Sequence, residues 1–110
     1  MEQIIRVYKM ADHTCPFDEW MKKLRDEKAR AAIDARILRL SVGNFGVCEP
    51  VGEGILELKV DTGPGYRVYL TKIKLTVVLL LCVGSKKTQP KDIALAKKYA
   101  DDFKRRGMPI

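Results

Sequence analysis

A chain of 110 residues with 46% hydrophobic content is sized for one domain with one core. Its 21 Lys and Arg against 14 Asp and Glu leave a formal charge of +7, which favours polyanions or an acidic partner, while 7% aromatics exclude a surface paved with base-stacking rings. Three scattered cysteines (Cys15, Cys48 and Cys82) and a single histidine, His13, exclude a disulfide framework and a structural zinc site, and they fit a reducing cytosol.

The charged start, with Glu2 and Arg6, does not read as a secretory signal. Gln3 to Lys9 is rich in β-branched and aromatic residues and predicts a first strand. Asp12 to Pro16 breaks it, and Pro16 suits the first position of a helix. Phe17, Trp20, Met21 and Leu24 then recur at helical spacing as an apolar stripe, in which Trp20 is core packing. Asp26 can cap a second helix whose buried face is Ala29, Ala32, Ile33, Ile37 and Leu40, with Arg30, Asp34 and Arg39 pointing elsewhere. Gly43-Asn44 ends that helix, and Asn44 to Gly54 reads as loop.

Three strands follow, about Ile55–Asp61, Tyr66–Thr71 and Leu75–Val83, joined by short connections as an antiparallel meander. The apolar run Leu75–Val83 is too short for a bilayer and reads as a central strand buried on both faces. Gly84 to Gln89 is a second loop, and Pro90 opens a final helix with Ile93, Ala96, Ala100 and Phe103 on its apolar face. Lys97, Lys98, Lys104, Arg105 and Arg106 make its later part basic. The order is β-α-α-β-β-β-α, a single α+β domain over residues 1–110, with helices expected on one face of the sheet.

Side chains alternate along a strand with a period of two. Leu56, Leu58 and Val60 therefore share one face of their strand, and Glu57, Lys59 and Asp61 share the other. On the next strand Tyr66 goes to the core, while Arg67, Tyr69 and Thr71 face the opposite way. Between these strands lies the tight turn Gly63-Pro64-Gly65.

No metal, nucleotide cofactor or nucleophilic triad is indicated. Gly84-Ser85-Lys86-Lys87-Thr88 lacks the first glycine of a phosphate loop, and His13 reads as a solvated side chain. Metal-free RNA cleavage suits the armed sheet face better. A ribose 2′-hydroxyl attacks the adjoining phosphate, which calls for a base, cations on the phosphoryl oxygens and an acid for the leaving oxygen. Arg67 suits the phosphoryl role because its planar fork holds two oxygens. Lys59 can clamp the phosphate or act as base, Glu57 is a second candidate base, and Lys86 or Lys87 can neutralise or protonate the leaving group. Lys87, Tyr69, Lys97, Lys98 and Arg105 are candidates for RNA contact. For Glu57 and Lys59, salt bridging on a wet sheet face carries equal weight.

Together these motifs resemble the RelE/ParE superfamily of type II toxin–antitoxin toxins, in the branch of addiction-module killer proteins related to HigB-like toxins. The likeness runs nearly end to end. It includes Phe17-Asp18-Glu19-Trp20, Ala31 to Ile37 with Arg39-Leu40, Gly43-Asn44-Phe45-Gly46, Glu57-Leu58-Lys59, Gly63 to Tyr69, Leu79 to Gln89 and Asp92-Ile93. The resemblance implies a toxin held in check by a co-expressed antitoxin, commonly a helix-turn-helix protein. It implies a cytoplasmic, ribosome-dependent mRNA endonuclease that uses no metal, or alternatively a ParE-like poison of DNA gyrase that acts by protein binding. Arg67 matches the strand arginine of the nuclease members. Lys59 stands where the branch usually has arginine, and Gly84-Ser85-Lys86-Lys87 replaces its usual Gly-Gly-Asp-Lys, losing an acid. No histidine lies near the site, so general base and acid stay unassigned. The expectation is that Arg67 and Lys59 converge on one phosphodiester.

Overall fold

A computed structural model describes residues 1–107. The elements among them are β1 (Ile4–Val7), α1 (Pro16–Lys23), α2 (Glu27–Ser41), β2 (Cys48–Gly52), β3 (Ile55–Val60), β4 (Tyr66–Lys74), β5 (Val77–Ser85), a 3-10 turn (Lys86–Thr88) and α3 (Gln89–Arg105). They build an α+β domain around a five-stranded mixed sheet in the order β1-β5-β4-β3-β2. β2 to β5 are antiparallel neighbours, as the short connections require, and β1 joins the other edge of β5 in parallel.

Local chemistry accounts for the helices. Pro16 occupies the first turn of α1, where no N–H is needed. Asp26 caps α2, its side chain accepting from the Ala29 N–H at 3.1 Å. Gly43 takes φ +94 just beyond the end of α2, a conformation its lack of Cβ makes cheap.

The sheet carries a core on each face. On one, Phe17 of α1 and Ala29, Ile33 and Leu40 of α2 pack on Leu58, Val60, Tyr66, Val68, Leu70, Val78 and Leu80. Trp20 meets Tyr66 edge-on at 5.8 Å there, so both rings are core groups, as the stripe predicts. On the other, Ala96 and Ala100 of α3 pack on Ile55, Tyr69, Leu79 and Leu81. The expectation of helices on a single face is therefore corrected: α1 and α2 cover one side and α3 the other. The reason lies in β5, which is buried from Val77 to Gly84 at both parities and needs cover on both sides. Leaving Leu79 and Leu81 bare would forfeit about 1.5–3 kcal/mol of burial each.

A second correction concerns β2, which sequence reading assigned to loop. Its Pro50 and Gly52 read as breakers, yet β2 is an edge strand with a bulge between Pro50 and Gly52. Pro is tolerated at an edge because one row of its backbone groups needs no partner. Another bulge, in β5, puts both Leu81 and Cys82 on the α3 side, since Tyr69 pairs with Cys82 and Leu70 with Leu80.

Candidate functional site

The alternation in β3 and β4 places the predicted residues on one face. Lys59 lies opposite Arg67 and Glu57 opposite Tyr69 in the β3–β4 register, while Glu49 of β2 lies opposite Glu57. Gly84 of β5 lies opposite Arg67. The face that sequence reading leaves open is closed here by the N-terminal end of α3.

Its centre is Glu57, 2% exposed. One carboxylate oxygen accepts from the Tyr69 hydroxyl at 3.0 Å and from the Gln89 side-chain amide at 2.7 Å. The other lies 3.7 Å from Arg67 Nε, an ion pair too long for a hydrogen bond. Glu57 therefore has one oxygen engaged by β4 and α3 and the other facing Arg67, which makes it an anchor and a counter-ion within the site. Tyr69 is fully buried, and burial followed by the Glu57 charge pushes its phenol far up, so it stays protonated and donates inward. Its expected place in RNA contact is corrected accordingly.

Arg67 is 7% exposed, buried in an internal ion pair with Glu57. Nε faces Glu57, and Nη1 donates to the Tyr66 carbonyl at 3.0 Å. The residue lines an open pocket of about 290 Å³ with Asp61, Gly63, Pro64, Gly65 and Lys86. Two features set that geometry. Gly65 has φ +86, and its carbonyl accepts from the Lys86 N–H at 3.0 Å, tying the β3–β4 turn to the end of β5. Gly84 lets α3 close down, since a Cβ there would stand 1.9 Å from Asp92 Oδ2. That carboxylate oxygen accepts from the Thr88 hydroxyl at 2.5 Å. The glycine that resembles part of a phosphate loop thus serves helix packing.

The remaining expected residues disperse. Lys59 shares the face with Arg67, but its ammonium is 3.0 Å from Glu49, so the two cations do not converge as expected. Each has its own carboxylate. Lys87 is exposed on the 3-10 turn. Lys97 pairs with Glu53 at 3.4 Å, and Arg105 with Asp101 at 3.0 Å. Lys98 lines a separate pocket of about 260 Å³ beside Tyr8 and Tyr99. Arg105 lies at the far end of α3 from Gln89, about 24 Å along the axis at 1.5 Å per residue. The basic end of α3 is therefore not part of the Arg67 pocket.

Sequence reasoning missed Gln89 and Asp92 as site-building residues, and it placed Asp61 on the face of Glu57 and Lys59 without a role. Gln89 had a signal, since it opens the last helix directly after the central strand, but nothing local says that it reaches Glu57 across 32 positions. Among the described residues no group of His, Cys, Asp and Glu is placed to hold a metal ion. No helix among them is long and apolar enough to cross a membrane.

No family profile matches the sequence. A protein of Haemophilus influenzae named "Uncharacterized protein" is 51% identical over 90 residues, which is 82% of this chain and 91% of that one. This chain belongs to that protein's family. Identity at this level over 82% of this chain and 91% of the other means that the two share one fold.

Proposed function

We propose that the protein is the toxin of a type II toxin–antitoxin module, acting as a ribosome-dependent, metal-independent mRNA endonuclease in the cytoplasm, with a helix-turn-helix antitoxin as its partner. The observation that carries this reading is the Arg67 pocket. Arg67, with Glu57 as its counter-ion, lines a pocket together with Lys86 and the glycine turn, an arrangement suited to a phosphodiester. Preorganised donors of this kind act on a phosphoryl group as charge builds on it, without reorganising during reaction. The site supports phosphate capture through Arg67 and Lys86. Glu57 and Lys59 are engaged by protein groups, and the general base and acid stay unassigned.

Internal pairing of Lys59 and Arg67 favours a second reading, a ParE-like poison that binds DNA gyrase and needs no free catalytic set. Induced expression separates the two. Rapid loss of translation with cut mRNA, abolished in Arg67→Ala while antitoxin capture persists, is expected for the nuclease. An SOS-type response with intact mRNA identifies the gyrase poison. A folded Arg67→Ala protein that arrests growth as fast as the parent rules out this site for the nuclease reading.

A further inference from the structure

A second basic pocket, of about 340 Å³, opens between α2 and the end of β3, and Arg36, Arg39, Gly46, Lys59, Asp61 and Thr62 are among its walls. Arg36 is its inner cation and is 9% exposed. Its Nε donates to the Lys59 carbonyl at 3.4 Å, and Nη2 to the carbonyls of Phe45 at 3.1 Å and Val47 at 3.4 Å. Gly46, at φ +59, makes room for it: a Cβ there would lie 2.6 Å from Nη1.

This guanidinium is short of a counter-ion. Among the described residues no carboxylate pairs with Arg36 or Arg39, and no acceptor meets Arg36 Nη1. A buried charge without an opposite partner is costly, and three backbone carbonyls offset only part of that cost. Burial, then the neighbouring Arg39 charge, lowers the Arg36 pKa, which is the mark of a cation held where an anion would be welcome. Asp61 is exposed and lines both this pocket and the Arg67 pocket, so the two meet at the end of β3.

We infer that the Arg36–Arg39 pocket is a second phosphate subsite, seating a phosphodiester of the same single RNA strand whose scissile phosphate lies at Arg67 and Lys86. The inference rests on the RNA reading above. A flexible polymer with one charge per nucleotide can occupy two arginine-walled pockets that share a wall. An acidic protein segment is the competing occupant. Asp61, standing between the pockets, is placed to accept from a sugar hydroxyl or a base amine, and it disfavours a third anion there.

The test is fluorescence anisotropy with a labelled 2′-O-methyl hexauridylate, which cannot cleave itself, titrated with the full chain from 50 to 200 mM salt. Arg39→Gln changes an exposed residue of α2 and is expected to keep the parent's melting temperature. It should weaken binding about fivefold at 0.1 M salt and lower the salt slope by about 0.7, the share of one single-strand phosphate contact. Arg67→Gln should weaken it independently. If only Arg67→Gln weakens binding, the second subsite is refuted and the RNA reading stands. If neither variant matters, both fall. If Arg39→Gln leaves the oligonucleotide unmoved but abolishes binding of a labelled oligo-aspartate peptide, the pocket belongs to an acidic protein and the inference is overturned.

Discussion

Glu57 shows how a residue's surroundings fix its role. On an open sheet face a carboxylate beside Arg67 and Lys59 is a plausible base; under α3 it becomes the acceptor for Tyr69 and Gln89 and the counter-ion of Arg67. Removing one partner of a buried pair leaves the other charge uncompensated. Glu57→Gln is expected to lower stability by about 3 kcal/mol in urea denaturation. Arg67→Met in the same background should recover part of that loss. Strict additivity of the two substitutions would show that the 3.7 Å separation carries no coupling.

Among the elements, α2 is the one whose ends are most clearly written locally. Asp26 satisfies the Ala29 N–H, and Arg30 donates to the Met21 and Leu24 carbonyls at the exit of α1, so the junction between the helices is held from both sides. Asp26→Ala should cost about 1 kcal/mol, and Asp26→Ser much less, because a serine hydroxyl can accept the same bond. Thermal melts of the two variants check this. Equal losses would place the contribution of Asp26 in its charge near the helix N-terminus rather than in the cap. The β3–β4 hairpin is similarly local in origin, and its turn glycines at φ +57 and +86 carry the backbone where other residues are strained.

At the scale of the whole molecule, α3 spans the sheet and is fastened at both ends. Near its start Asp92 fits over Gly84 and Gln89 reaches Glu57. At its end the Tyr8 hydroxyl donates to Asp102 at 2.5 Å, Tyr8 stacks on Tyr99 at 4.9 Å, and Arg106 reaches the Lys9 carbonyl at 2.6 Å. The Tyr8 hydrogen bond, then Arg106, lowers the Asp102 pKa, while burial and then Asp102 push the Tyr8 phenol up to about 12. A depressed carboxyl stabilises the fold above its unfolded pKa of about 3.9, and that contribution fades as pH falls through the lower folded value. A raised phenol stabilises it below about 10, and that contribution fades as pH rises towards about 12. The melting-temperature gap between the parent and Tyr8→Phe should therefore be widest and flat around neutrality and narrow at both extremes. A gap independent of pH would mean that Tyr8 acts by packing alone.

Periods and breakers alone determined much of this protein. Pro16, Asp26 and Gly43 mark helix ends through backbone chemistry that acts within a few residues, and the alternation from Leu56 to Thr71 sorts core from armed face because a strand has no other way to place its side chains. That sorting put Glu57, Lys59, Arg67 and Tyr69 on one side correctly. Their partners could not be read the same way. Whether α3 lies over that side depends on how the chain turns after Ser85, and Gln89 and Glu49 come to the site from elements whose approach no local pattern encodes. The edge strand β2 hid for the same reason: Pro50 and Gly52 are breakers by themselves and become a bulged edge only when β3 stands beside them. Tertiary packing thus decided which cations were neutralised and which were left facing a pocket.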